Sequence, residues 1–305
     1  MVEICGVIKV LHELDIIIVN YNSTDYLLDC LGSIYKSLEG HSVKIFVADN
    51  ASSDNIDRIV IEFPDVLLLK NKQNLGYAKA VNECLSLSSA PFVSIMNPDI
   101  LINKGCFQSI LSFMRIKNDI AIVGPKILDG NNSIQGSARA FPTPLTAIFG
   151  RSSILTKILP NNRISSKNIL TGTAVDNRSL DVDWVSGAFM FVRRKAINQI
   201  GPMDDRFFMY WEDADWCKRM SKAGWRIVYY PLASVIHYAG CSSERSLMKS
   251  LFEFHKSAYY FYCKHHDFSE TNQFLWKSLC LWGLSLRFYS VLGVKALARW
   301  CGRRI

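Results

Sequence analysis

The chain contains no CxxC pair, no glycine-rich basic loop after its first apolar run, and no acidic residue after Glu270. Its apolar stretches also fall short of the about 20 residues that a bilayer-spanning helix needs. The nine cysteines (Cys5, Cys30, Cys84, Cys106, Cys217, Cys241, Cys263, Cys280 and Cys301) are odd in number and scattered. That pattern argues against a disulfide framework or zinc ribbon and reads as reduced thiols in a reducing compartment. The N-terminal stretch MVEICGVIKVLHELD carries Glu3 and no small-residue cleavage site, which makes it a poor secretory signal. A cytoplasmic location is the expectation. The missing basic glycine-rich loop argues against a nucleotidyltransferase.

What is present is a globular composition: 305 residues, 49% hydrophobic and 20% charged. Disorder and fibrous folds are excluded on that ground, and the length suits one main domain with an appendage. The formal charge is +8. Most of the excess lies at the C-terminal end, in Lys277, Arg287, Lys295, Arg299, Arg303 and Arg304.

From Asp15 to Val123, β-branched apolar runs alternate with amphipathic segments. The runs at 15–20, 43–49, 66–71, 91–97 and 120–124 predict buried strands, and the segments 24–38, 54–63, 76–88 and 105–117 predict helices. Such alternation implies an α/β fold with a mostly parallel sheet covered on both faces. Glycine-, asparagine- and serine-rich sequence over 125–180 predicts a long loop region, followed by a strand over 182–194 and another over 225–231.

Ligands in such sheets bind beyond the carboxyl ends of the strands. The residues there are Asn20, Tyr21 and Asn22, then Asp49 to Ser52, then Asn74 to Lys79 with Gly76 between them, then Asn97, Pro98 and Asp99. Asp99 is either a turn residue or a carboxylate presented at the sheet edge by the rigid Pro98. Glu212, Asp213 and Asp215 place three acids in four residues at the start of a predicted helix, among Phe207, Phe208, Tyr210, Trp211 and Trp216. Capping accounts for one or two of these acids. Their aromatic surroundings point to a pocket that binds a sugar or ring and needs a base. His237 follows an apolar run and is either a hydrogen-bonded structural residue or a ligand whose partner comes from elsewhere in the chain. Arg139 is either a solvated loop residue or a diphosphate binder, and Arg219 suits an ion pair with Asp215.

The ordered set IIIVNYN, VADNASSDN, NLGYAKAVN, MNPD, WVSGAFMFVRR, MDDRFFMYWEDADWCKR and AGWRIVYYP…VIHYAG, from about residue 14 to 265, resembles the inverting GT-A glycosyltransferases of family 2. The resemblance is greatest to the bacterial rhamnosyltransferase branch. It implies a Rossmann-like GT-A domain over 1–265 and a C-terminal helical extension over 266–305. It further implies a donor pocket in which Asp49 reads the pyrimidine base, with Asn20, Tyr21, Asn22, Asn74, Gly76, Lys79, Asn97, Arg139 and Trp184 as further nucleotide-sugar contacts. Asp99 and His237 would hold Mg²⁺ or Mn²⁺, where Asp-x-Asp or Asp-Asp-x is the commoner family motif. Asp213 would be the general base beside Glu212. The implied reaction moves a sugar, L-rhamnose from dTDP-rhamnose first of all, to a lipid-linked or polysaccharide acceptor. Another UDP- or dTDP-linked sugar such as galactofuranose or N-acetylglucosamine, or a non-catalytic nucleotide-sugar-binding scaffold, are the alternatives.

The tail over 270–305 mixes tryptophan, leucine and phenylalanine with six cations and no acid. That mixture suits helices lying in an anionic membrane interface on the cytoplasmic side, or else a helical cap with a basic surface. Its surroundings are too apolar for a nucleic-acid partner.

Overall fold

The computed structural model describes residues 12–38, 40, 42–141, 170–171, 178–238, 247–266 and 273–300. Much of the expected loop region, including 160–168, lies outside them, as do Cys5, Cys241, Cys301 and most of the N-terminal stretch.

The first half alternates as its periodicity requires. Strands β1 (Leu14–Asn20), β2 (Val43–Asp49), β3 (Leu67–Lys70) and β4 (Phe92–Met96) are separated by helices α1 (Thr24–Ser37), α2 (Arg58–Glu62) and α3 (Tyr77–Leu87). Strand β5 (Ile100–Ile102), helix α4 (Cys106–Ile116) and strand β6 (Ile120–Leu128) follow. The short strands β7 (Ala138–Arg139), β8 (Leu180–Asp181) and β9 (Trp184–Val185) lead to β10 (Phe189–Arg193), α5 (Arg194–Ile200), α6 (Glu212–Lys222) and β11 (Arg226–His237). Helices α7 (Leu247–His265) and α8 (Gln273–Trp300) close the chain.

The main sheet has the order β3-β2-β1-β4-β10-β6-β11-β5, with β8 on β11. Its pairings set β3, β2, β1, β4, β6 and β11 in one direction and β10, β5 and β8 in the other. Alternate residues of β1 face opposite layers. Ile16 and Ile18 pack with Leu27 of α1, Ile59 of α2 and Ile110 of α4. Ile17 and Val19 pack with Val81 of α3, Ile197 of α5 and Trp216 of α6. Both faces are therefore covered, as continuous apolar strands demand.

Three expectations change. The single strand over 182–194 is broken, because Val185 pairs with Ala138 in a separate ribbon while Phe189 pairs with Met96 of the main sheet. Residues 186–188 turn between the two. The helix expected over 54–63 shrinks to 58–62, because Asp54 turns inward and accepts the Thr24 N–H at 2.9 Å. The strand expected over 225–231 continues to His237 through an irregularity between Tyr230 and Ser234.

Candidate active site

Register brings the first group together. Asn20 pairs with Asp49 at the carboxyl ends of β1 and β2. There Asn20 Nδ2 donates to Asp49 Oδ1 at 3.0 Å, and the Ser52 N–H donates to Asp49 Oδ2 at 3.1 Å. The Asn22 N–H donates to Ser52 Oγ at 2.8 Å, and Asn22 Oδ1 accepts from the Ser53 N–H at 2.6 Å. Asn22 and Ala51 both hold positive φ (53° and 61°), so each loop is sharply turned and fixed to its neighbour. The result is a buried carboxylate, Asp49, with acceptor capacity left beside the 41%-exposed Tyr21 ring.

The next loop docks on this group. Asn50 Nδ2 donates to Gly76 O at 3.1 Å, and Asn74 Oδ1 accepts the Gly76 N–H at 2.9 Å. Gly76 has φ 87° and a Cβ there would stand 2.5 Å from Phe208 O, so only glycine fits this approach. Lys79 is exposed in the first turn of α3.

The second group comes from β5 and β11. His237 pairs with Ile100 across an antiparallel ladder, which sets the histidine beside Asp99, and the two side chains meet with Nε2 3.3 Å from Asp99 Oδ1. Gln135 Nε2 donates to His237 O at 2.9 Å, so Gln135 Oε1 faces His237 Nδ1 at 3.0 Å. An amide oxygen only accepts, hence Nδ1 donates to Gln135 and Nε2 is the nitrogen that faces Asp99. Asn97 Nδ2 lies 3.5 Å from the same Nε2. Asp99 Oδ1 is buried and accepts no hydrogen bond. A buried orphan carboxylate oxygen beside an imidazole Nε2, whose other nitrogen has an outer-shell partner, is a donor set that fits a divalent cation. Among the described residues no cluster of three or more His, Cys, Asp or Glu side chains could hold a metal, so water and ligand oxygens would complete the coordination.

The third group is the acid cluster at the start of α6. Tyr210 and Trp211 both adopt left-handed backbone (φ 69° and 70°), which costs about 1–3 kcal/mol each. Helix α7 holds them there. Phe254 packs on Tyr210 and Trp211 with ring centroids at 5.7 and 5.6 Å, Phe261 lies 5.3 Å from Trp211, and Ser257 Oγ donates to Met209 O at 2.9 Å. The turn delivers Asp213 to two backbone donors, Gly187 N–H to Oδ2 and Ala214 N–H to Oδ1, each at 2.7 Å.

Burial and the neighbouring Asp213 and Asp215 charges push the Glu212 carboxyl well above its usual range. Asp213 is raised too, by burial, against the opposing pull of Gly187 N–H, Ala214 N–H and Arg139. Both carboxyls are raised, and the two backbone donors that Asp213 has, against a Glu212 Oε2 with no hydrogen-bond partner, favour the negative charge on Asp213. Asp215 behaves oppositely. Burial would raise it, but His265 (2.6 Å), Lys264 (2.7 Å) and Arg219 (2.9 Å) outweigh that and hold it low. Asp215 is thus a structural tie between α6 and α7.

Arg139 donates to Gly136 O at 2.7 Å and lays its guanidinium 5.1 Å over the Trp184 ring, on the ribbon next to Asp213. Trp184 Nε1 donates to Ala140 O at 3.0 Å. Sequence reasoning missed Gln135, Tyr77 and Gly187. Gln135 carries no local signal, Tyr77 lies inside the Asn74–Lys79 loop with no role assigned to it, and Gly187 is hidden in what reads as a continuous strand.

Residues 15–201 match the glycosyl transferase family 2 model. An N-acetylglucosaminyl-diphospho-decaprenol L-rhamnosyltransferase of Mycobacterium tuberculosis is 30% identical over 95% of this chain and 96% of its own length. Rhamnosyltransferase WbbL of Escherichia coli is 26% identical over 84% of this chain and 95% of its own. The mannosyltransferase PcManGT of Pyrobaculum calidifontis, solved with GDP-Man and Mn²⁺, aligns with a TM-score of 0.55 at 14% identity over 95% of this chain and 76% of its own. GalNAc-T7, solved with UDP, GalNAc and Mn²⁺, aligns with a TM-score of 0.56 at 14% identity over 75% of this chain and 44% of its own. The fold is accordingly of the GT-A type. With the matched region running through the loops that carry Asn20, Asp49, Asp99 and Gly187, and similarity to a rhamnosyltransferase along nearly the whole length, the chain belongs to glycosyl transferase family 2.

Proposed function

We propose that the protein is an inverting glycosyltransferase that moves L-rhamnose from dTDP-rhamnose to a lipid-linked or polysaccharide acceptor in cell-surface glycan synthesis. The observation that carries the reading is the Asp213 carboxylate, held 2.7 Å from the Gly187 N–H at the sheet edge that also presents Asp49 and the Asp99–His237 pair. A base, a polar pocket and an oxygen–imidazole pair at one edge are what transfer from a nucleoside diphosphate requires. The two relatives named above are both rhamnosyltransferases, and the name of the first contains a diphosphodecaprenol, which supports rhamnose and a lipid-linked acceptor.

In this reading Asp49, with Asn20, Tyr21 and Asn22, accepts the N3–H of the pyrimidine, while Asn74, Gly76, Lys79, Asn97, Arg139 and Trp184 line the rest of the donor pocket. The acceptor hydroxyl oxygen forms a bond to the anomeric carbon as that carbon's bond to the diphosphate breaks on the opposite face. Its proton passes to Asp213, a contribution of about 10²–10⁴-fold. Asp99 Oδ1 and His237 Nε2 would hold Mg²⁺ or Mn²⁺, which when bound neutralises charge on the diphosphate. Release of nucleoside diphosphate by purified protein across a panel of nucleotide-sugars tests the reading. dTDP-rhamnose should give the highest rate, and silence with every donor would favour a non-catalytic scaffold.

The same reading sets the enzyme on the cytoplasmic face of a membrane. No described helix is long and apolar enough to cross one. On α8, Leu275, Leu279, Trp282, Leu286 and Tyr289 recur every three or four residues, so they share one face, and all are exposed. Leu284 on the opposite side is buried. An exposed apolar stripe on a segment with six cations and no acid after Glu270 suits an anionic interface. Arg287 does not face it. Its guanidinium stacks 5.5 Å from the Phe254 ring, which corrects the expectation of six leaflet-facing cations. The side chains of Lys295, Arg299, Arg303 and Arg304 lie outside the described residues.

A further inference from the structure

The turn at 186–188 is held from three sides. Tyr77 Oη donates to Gly187 O at 3.0 Å, the Asn97 N–H donates to Ala188 O at 3.0 Å, and the Ser186 N–H donates to Ser137 O at 2.8 Å. The N–H of that same Gly187 donates to Asp213 Oδ2. Tyr77 in turn follows Gly76, the residue whose carbonyl receives Asn50 Nδ2, and the Tyr77 N–H donates to Phe208 O at 2.7 Å. We infer that Tyr77 is a positioning residue: by fixing the Gly187 carbonyl it aims the Gly187 N–H at Asp213 and couples the nucleotide loop to the orientation and basicity of the base. The inference rests on the reading of Asp213 as the base.

The Gly187 C=O and N–H lie in successive rigid peptide planes that meet at the Gly187 Cα; Tyr77 holds the first, the Phe189 N–H donating to Ser186 O at 3.3 Å holds the second, and with both planes anchored the direction of the Gly187 N–H is restrained. The Tyr77 hydroxyl is a buried donor with one partner, and without it the Gly187 carbonyl has no described donor. Space is tight as well. A Cβ on Gly187 would lie 3.2 Å from Asp213 Cβ and 3.3 Å from Oδ2, so an added methyl group would press the carboxylate away by a few tenths of an ångström. The charged and titratable groups facing Asp213 are Glu212, Arg139, Tyr77 and Cys217.

Tyr77→Phe keeps the ring and removes only the hydroxyl. We expect turnover to fall about tenfold at neutral pH with the KM for the nucleotide-sugar changed less than about twofold. The acid limb of the kcat–pH profile should move to higher pH, because Asp213 loses a hydrogen bond that favours its charged form. Gly187→Ala, which displaces the carboxylate by contact, should shift the same limb with Tyr77 intact, and it carries the test should Tyr77→Phe not fold. A Tyr77→Phe enzyme whose kcat profile superimposes on the parent's overturns the inference, and so does a Gly187→Ala enzyme with an unmoved limb. Asp213→Asn separates the two claims. If that variant is inactive while Tyr77→Phe is normal, the relay alone fails; if it turns over normally, the base assignment fails.

Discussion

His237 Nε2 lies 3.3 Å from Asp99 Oδ1, brought there by the pairing of His237 with Ile100 across the β5–β11 ladder. The contact pairs an imidazole whose far nitrogen donates to Gln135 with a carboxylate oxygen that accepts no hydrogen bond. If this is where the cation sits, Asp99→Ala and His237→Ala should each weaken Mn²⁺ binding about 10-fold or more without lowering the melting temperature of the metal-free protein. Titration calorimetry with Mn²⁺ measures it directly. Unchanged affinity in both variants would return His237 to a structural role.

Asp49 has a separate test. Its carboxylate is oriented by Asn20 and Ser52, so Asp49→Ala should weaken dTDP and UDP binding while leaving the Mn²⁺ affinity intact. A pyrimidine lacking N3–H, as in CDP, should bind the parent enzyme poorly. Preference for CDP would contradict the assignment.

The tie between α6 and α7 predicts a pH-dependent stability. Asp215 is fully buried and held below its ordinary pKa once folded. Its stabilising contribution is therefore complete above the unfolded value of about 3.9 and is lost as pH falls through the lowered folded value. Asp215→Ala leaves Lys264 and His265 facing an empty site and should cost about 3–5 kcal/mol at neutral pH. The difference in stability between parent and variant, followed by urea melts, should shrink below about pH 4. A constant difference down to pH 2 would sink the claim.

The alternating strands and helices of the first half were legible because buried parallel strands read as continuous apolar runs. The loops proposed to meet the donor stand out because they follow those runs. The contacts of Tyr77 and Gln135 do not, since each has a partner more than one hundred residues away. Gly187 reads as strand because WVSGAFMFV is apolar apart from Ser186, and only pairing to two different sheets reveals the turn. For the third acid, Asp215, the spacing shows only the ion pair with Arg219. Lys264 and His265 from a distant helix make it structural.

For the C-terminal helix, the exposed stripe on α8 should carry binding to anionic vesicles. Trp282→Glu with Leu279→Glu should weaken co-sedimentation with phosphatidylglycerol-containing vesicles several-fold, and removal of 270–305 should abolish it. Added salt should weaken the parent's binding, because part of the attraction is screened. A truncated chain that binds as well as the full one would leave α8 a structural cap.

The most direct test of the central claim is turnover of Asp213→Asn with dTDP-rhamnose and a lipid-linked acceptor. The substitution keeps the size and one acceptor oxygen for the two backbone N–H groups that Asp213 serves, so the fold and dTDP binding, read from the melting temperature and a dTDP titration, should persist. Turnover should fall by at least about 10²-fold, in keeping with a lost base. In the parent, kcat should decline with falling pH from a point above the ordinary Asp value, because Asp213 is raised by burial and a protonated base cannot accept the hydroxyl proton. Near-parental turnover by Asp213→Asn would contradict the account.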